Sequence, residues 1–109
     1  MNIPASFSQI LKEAGISLSS EGVGDIALTP KAAARAIQAL KDAGVGITGG
    51  EAWQRKADRF LPTYDNWSIE SSDFSNRDDY LRESWKRAEC HITRYASGSR
   101  DDILIAIGI

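Results

Sequence analysis

The chain has 109 residues, of which 42% are apolar and 26% charged, and its formal net charge is −2. This length predicts a single domain over residues 1–109, because two domains would each have too small a core. No apolar run approaches the roughly 20 residues of a membrane span, and the N-terminus lacks a basic segment followed by an apolar one, so we expect a cytoplasmic protein without membrane contact. With 13 basic and 15 acidic residues, no basic face outweighs its neighbours, which argues against nucleic-acid binding.

The first half of the chain predicts two helices. Apolar residues at three- and four-residue spacing indicate a helix over Ile3–Ala14. Residues 16–28 lack this spacing and are expected to form an ordered loop. Thr29 can cap a second helix, Pro30 fits its first turn, and Gly44 ends it.

The middle of the chain predicts a β-hairpin. A glycine-rich strand is expected over residues 45–54. Its return strand is expected over residues 60–64 and 67–69, interrupted by Pro62, which favours an edge strand or a bulge. Asp65-Asn66 is typical of a turn.

The last third predicts a long helix and a buried strand. Ser75 or Asn76 can cap a helix over Arg77–Ala96, and the aliphatic run Asp102–Ile107 is typical of a central strand that is buried on both faces. The order helix, helix, strand, strand, helix, strand predicts an α+β fold in which the helices pack on a small, mainly antiparallel sheet.

The chain offers few residues for catalysis or for cofactor binding. The run Gly44–Gly49 has the spacing G-x-G-x-x-G, but it follows a helix and enters a strand, whereas a dinucleotide site needs the reverse order. Cys90, the single cysteine, excludes an internal disulfide or a cysteine-based zinc site and is expected to be buried and inert. We interpret His91 as a structural histidine at the rim of the core. No cofactor or metal is expected, although an enzyme that uses Asp65 with His91 stays an alternative.

Aromatic side chains are concentrated in the predicted hairpin, where Trp53, Phe60, Tyr64 and Trp67 fall within fifteen residues. Core packing explains each single ring. The cluster as a whole, with charged residues between its members, also fits a protein-binding surface with aromatic anchors and a charged rim.

Two short motifs in this hairpin resemble a known family. The run Gly49–Trp53 (GGEAW) and the box Tyr64–Trp67 (YDNW), followed by a long helix with Tyr80 near its start and Ser84 one turn later, resemble the immunity-protein family numbered forty of bacterial polymorphic toxin systems. Because glycine leaves room for an overlying ring, we expect the Gly49-Gly50 pair and the Tyr64–Trp67 box to meet across the hairpin.

The resemblance implies a non-enzymatic inhibitor that stays in the cytoplasm of the producing cell, needs no cofactor and binds one cognate toxin domain. For this contact we single out Glu51, Trp53, Tyr64, Asp65 and Trp67. A small enzyme and a general protein-interaction adaptor are the alternatives, and the chemistry of the toxin stays open.

Overall fold

A computed structural model describes residues 3–18, 25–57, 59–96 and 102–109. Its elements are α1 (Ala5–Ala14), β1 (Ile16–Ser17), β2 (Ile26–Leu28), α2 (Pro30–Asp42), β3 (Gly49–Lys56), β4 (Arg59–Ser68), α3 (Arg77–Ala96) and β5 (Ile103–Gly108), with a short 3-10 turn at Ser71–Asp73. The predicted α+β class and the order of the predicted elements are confirmed. The segment expected to be a loop contributes two short strands, β1 and β2, and its residues 19–24 lie outside the described residues.

The five strands form one sheet in the order β1-β2-β5-β3-β4, and neighbouring strands run antiparallel. The aliphatic β5 lies at the centre of the sheet and is buried over residues 103–106, which confirms the prediction of a central strand. β4 lies at one edge, as Pro62 predicts, because an edge strand tolerates a residue that cannot donate to a neighbour.

Both faces of the sheet are covered by apolar side chains. The three helices pack on one face, where the alanines of α2 let it approach its neighbours closely. The core on this face includes Phe7, Ile10, Ala33, Ala36, Ile37, Leu40, Ala88, Ile92, Ile103 and Ile105. A smaller cluster on the opposite face consists of Leu18, Ala27, Trp53, Leu104 and Ala106. Among the helices of the described residues, none combines the length and apolar character that crossing a bilayer requires.

The helix boundaries follow the predicted capping signals. The Thr29 hydroxyl accepts a hydrogen bond from the Ala32 N–H at 3.3 Å, and Gly44 adopts a left-handed φ of +71° just after α2, where glycine is favoured. Asn76 caps α3, because its Oδ1 accepts the backbone N–H of Asp79 at 2.9 Å.

Besides the expected loop at residues 16–28, two local predictions are wrong. Asp65 and Asn66 continue β4 instead of forming a turn, because Asn66 pairs with β3 and the Asp65 carboxylate is bonded to α3. Cys90 is exposed rather than buried. It lies about 100° around α3 from its neighbour His91, and it is His91, only 5% exposed, that points into the protein, deeper than the predicted rim position.

Candidate functional site

The two motifs of the hairpin meet as predicted. Gly49 pairs with Ser68, and Gly50 pairs with Trp67. A Cβ atom at Gly50 would overlap the Trp67 ring and would lie 2.5 Å from the carbonyl oxygen of Ala106. Glycine is therefore required where the Trp67 ring lies over β3.

The edge strand contains a bulge at its middle. The pairing passes from Glu51 opposite Asn66 to Trp53 opposite Pro62. A single residue of β3, Ala52, therefore faces the whole segment 63–65 of β4. We call this segment the 63–65 bulge. Bulges are common at sheet edges and redirect individual side chains.

A threonine hydroxyl repairs the hydrogen bonding inside the bulge. Thr63 Oγ1 donates to the carbonyl oxygen of Ala52 at 2.7 Å and accepts the backbone N–H of Asp65 at 3.1 Å. These two hydrogen bonds replace backbone hydrogen bonds between β3 and β4 that the bulge interrupts. The conformation of the bulge is therefore fixed.

Tyr64 lies at the centre of the bulge and faces solvent. Its φ of +63° is in the left-handed region, which is uncommon for a bulky side chain and costs roughly 1–2 kcal/mol. Its side chain is 83% exposed. The fold thus holds a large aromatic ring in water on a strained backbone, the kind of outlier that clusters at functional sites.

Asp65 turns in the opposite direction and ties the bulge to α3. Its carboxylate accepts a hydrogen bond from the Tyr95 hydroxyl and lies 3.0 Å from His91 Nε2 and 3.7 Å from Arg94 Nη1. The bond from Tyr95 holds the pKa of Asp65 below its usual range; partial burial opposes this shift, and His91 and Arg94 support it. The interpretation of Asp65 as a turn residue is therefore replaced by a link between strand and helix.

Trp67 packs against His91 beside this link. The ring centroids are 4.3 Å apart with the planes tilted by 35°. Because an ionised Asp65 can only accept hydrogen bonds, the facing Nε2 of His91 carries a proton. Within the described residues, Trp67 Nε1 and His91 Nδ1 are buried without a hydrogen-bond partner.

The structure brings together the two groups of the enzyme hypothesis, Asp65 and His91, and bonds them to each other. The Asp65 side chain is one third exposed, whereas His91 is not open to a substrate. His91 is buried, its Nε2 is engaged with Asp65, and its Nδ1 has no exposed surface. A general base must reach the proton that it abstracts. The arrangement suits a structural link between the hairpin and α3.

Glu51 and Trp53 lie apart from the other candidates. Trp53 is 6% exposed and belongs to the smaller core cluster, and its indole N–H donates to Glu51 Oε1 at 3.0 Å. The candidate residues therefore divide into three groups: Trp53 with Glu51 on one face of the sheet, Tyr64 in solvent, and Asp65 with Trp67 against α3.

The sequence analysis paired Asp65 with His91 only as an enzyme alternative, and it missed both the structural link between them and the bond from Tyr95. His91 and Tyr95 are four positions apart and so share one face of α3, and this spacing is the signal that could have linked them. Nothing in the sequence showed that this face meets β4 at Asp65, because the bulge that directs Asp65 toward α3 has no recognisable pattern.

Other motif residues have structural roles. The Ser84 hydroxyl accepts the backbone N–H of Ile47 at 3.2 Å and donates to the Leu81 carbonyl oxygen at 2.9 Å. A Cβ atom at Gly46 would lie 2.6 Å from the Tyr80 ring. The glycine run at 44–49 connects α2 to β3, as predicted, and these contacts explain its small residues without a nucleotide.

A comparison with protein-family models gives one result for most of the chain. The model described as immunity protein 40 matches residues 17–109. This range contains α2, α3, the β3–β4 hairpin and β5. Searches of curated proteins and of solved structures returned no match.

Proposed function

The chain belongs to the immunity protein 40 family, and we propose that it binds one cognate toxin domain of a bacterial polymorphic toxin system and neutralises it by non-covalent occlusion. The family match over residues 17–109 carries this proposal. The proposed place of action is the cytoplasm of the cell that makes the toxin. Inhibition by occlusion needs a stable interface, which typically buries about 1,200–2,000 Å² in total.

We propose the β4 edge around the 63–65 bulge as the centre of this interface. Tyr64 is exposed on a backbone that Thr63 and Asp65 hold in place. Tyrosine is enriched among the residues that dominate binding energy, and a residue whose backbone is already held in place loses less conformational entropy on binding. Tyr64 is therefore the proposed anchor.

The other candidate residues support the anchor in different ways. Asp65 and Trp67 fix β4 against α3 through His91. Trp53 fixes β3 from the opposite face of the sheet, and Glu51, half-buried and bonded to it, lies on that face opposite Asn66. We propose that Asp65, Trp67 and Trp53 position the surface and that Tyr64 and Glu51 reach the toxin.

Calorimetric titration against the toxin domain encoded in the same locus tests this surface. Tyr64→Ala is expected to weaken binding by about 2 kcal/mol or more, as truncation of a central aromatic anchor does. Ile26→Ala is the matched control, because Ile26 is also an exposed large apolar residue, 41% accessible, but lies on β2, away from the β4 edge. Equal affinities for the two variants would exclude Tyr64 as the anchor.

The stoichiometry of neutralisation separates occlusion from the alternatives. A binding inhibitor abolishes toxin activity when the chain and the toxin reach equal molar amounts. An enzyme that destroys the toxin or its product would act at much lower ratios, and an adaptor would bind without reducing activity. Either of these last results would contradict the proposal.

A further inference from the structure

A groove between Trp67 of β4 and one face of α3 carries positive charge. Its volume is about 260 Å³, and its lining includes Trp67, Glu83, Lys86, Arg87, His91 and Arg94. Three permanent cations thus face one carboxylate, although the chain as a whole has a formal charge of −2. The groove is therefore locally positive on a protein whose formal net charge is negative.

The cations of the groove are only partly neutralised. Arg87 Nε lies 3.0 Å from Glu83 Oε1. Arg94 Nη1 lies 3.7 Å from Asp65 Oδ1, beyond direct hydrogen-bond distance, and its side chain is 66% exposed. Lys86 is exposed and has no ion-pair partner among residues 3–18, 25–57, 59–96 and 102–109. Positive charge is therefore available to a partner.

We propose that this β4–α3 groove receives the carboxylate of an aspartate or glutamate side chain of the toxin. The carboxylate would pair with Lys86 Nζ and with the guanidinium of Arg94, the two cations of the groove that are exposed and not engaged in a close ion pair. The inference rests on the proposed function and adds to it the chemistry of the partner: an acidic side chain enters the groove while the toxin surface covers Tyr64 on the same strand.

Charge reversal at Lys86 tests the groove, with a purified, catalytically inactivated toxin domain from the same locus as the probe. Lys86→Glu is expected to weaken binding about tenfold or more, because a like charge would then face the carboxylate. Lys31→Glu makes the same exchange at an exposed position of α2 and is expected to change affinity less than about twofold. Arg94→Gln, which removes charge without reversing it, should give an intermediate loss.

The outcomes distinguish the groove from the proposed function. If the unchanged chain does not bind the toxin, the proposed function fails. If it binds, and Lys86→Glu behaves like Lys31→Glu, the groove proposal is overturned and the proposed function stands. Restoration of the Lys86→Glu complex by a single acid-to-lysine replacement in the toxin would identify the acidic residue.

Discussion

The central strand β5 and the edge strand β4 belong to the same sheet but follow different rules. β5 pairs in regular register with β3 from Ile103 to Gly108 and is buried over residues 103–106. β4 alternates between exposed and half-buried residues and contains Pro62, a bulge and a left-handed tyrosine. The strand with regular pairing is therefore the one whose side chains form the core.

The irregularities of β4 fall together and surround the proposed anchor. Pro62 and the 63–65 bulge discourage a foreign strand from pairing with this edge. Tyr64 has a left-handed backbone conformation, which is unfavourable for tyrosine, and the hydrogen bonds of its neighbours Thr63 and Asp65 maintain it. Proteins break local rules mainly at functional positions, so the contrast with β5 supports β4 as the functional strand.

Truncation of one leucine in β5 and of one in β4 should give the largest effect on stability and directly compares the two strands. Leu104→Ala in β5 removes a side chain that is 1% exposed and is expected to lower the free energy of unfolding by about 3 kcal/mol. Leu61→Ala in β4 removes a half-buried side chain and is expected to cost about 1 kcal/mol, since less area leaves water on folding. Urea denaturation measures both, and equal losses would mean that β4 is as much a core strand as β5.

The contrast between β5 and β4 also explains which parts of the structure could be predicted from the sequence. The aliphatic run of β5 and the capping residues Thr29 and Asn76 have one physical interpretation each, and the structure agrees with them. Asp65-Asn66 has turn composition, yet it lies in a strand, because the hydroxyl of Thr63 and the contacts of Asp65 with α3 outweigh local preference. The contacts of Asp65 with α3 join residues 26 and 30 positions apart, so no short-range sequence pattern predicts them.

The link between Asp65 and α3 should contribute an intermediate, pH-dependent share of stability. Asp65→Asn keeps the shape but removes the charge that Tyr95, His91 and Arg94 stabilise, and it is expected to lower the free energy of unfolding by about 1–2 kcal/mol at pH 7. Since the pKa of Asp65 is lowered in the folded chain, the contribution is complete well above about 3.9, the usual aspartate value. It is lost as the pH falls through the lower folded value.

Chemical denaturation of both chains between pH 7 and pH 3 measures this dependence. The stability difference between the unchanged chain and Asp65→Asn should shrink toward the acidic end. Asp78→Asn, at an exposed position in the first turn of α3, is the control and is expected to cost less than about 0.5 kcal/mol at pH 7, mainly through the helix dipole. A difference for Asp65→Asn that stays constant over this range would show that the carboxylate charge does not hold the bulge.

Replacement of Tyr64 should give the smallest change in stability, although the same residue is expected to matter most for binding. In Tyr64→Gly, relief of the left-handed strain and the greater freedom of glycine in the unfolded chain act in opposite directions at about 1 kcal/mol each, so the net change is expected within about 0.5 kcal/mol. Tyr64→Val keeps the strain and adds a β-branched side chain at a positive φ, and it should be the less stable of the two by about 1 kcal/mol. Thermal and urea unfolding compare the variants. If Tyr64→Gly were clearly destabilising, the exposed ring would contribute to the stability of β4. Tyr64 would then have a structural role, and the proposed contrast between β5, which stabilises the core, and β4, which binds a partner, would be contradicted.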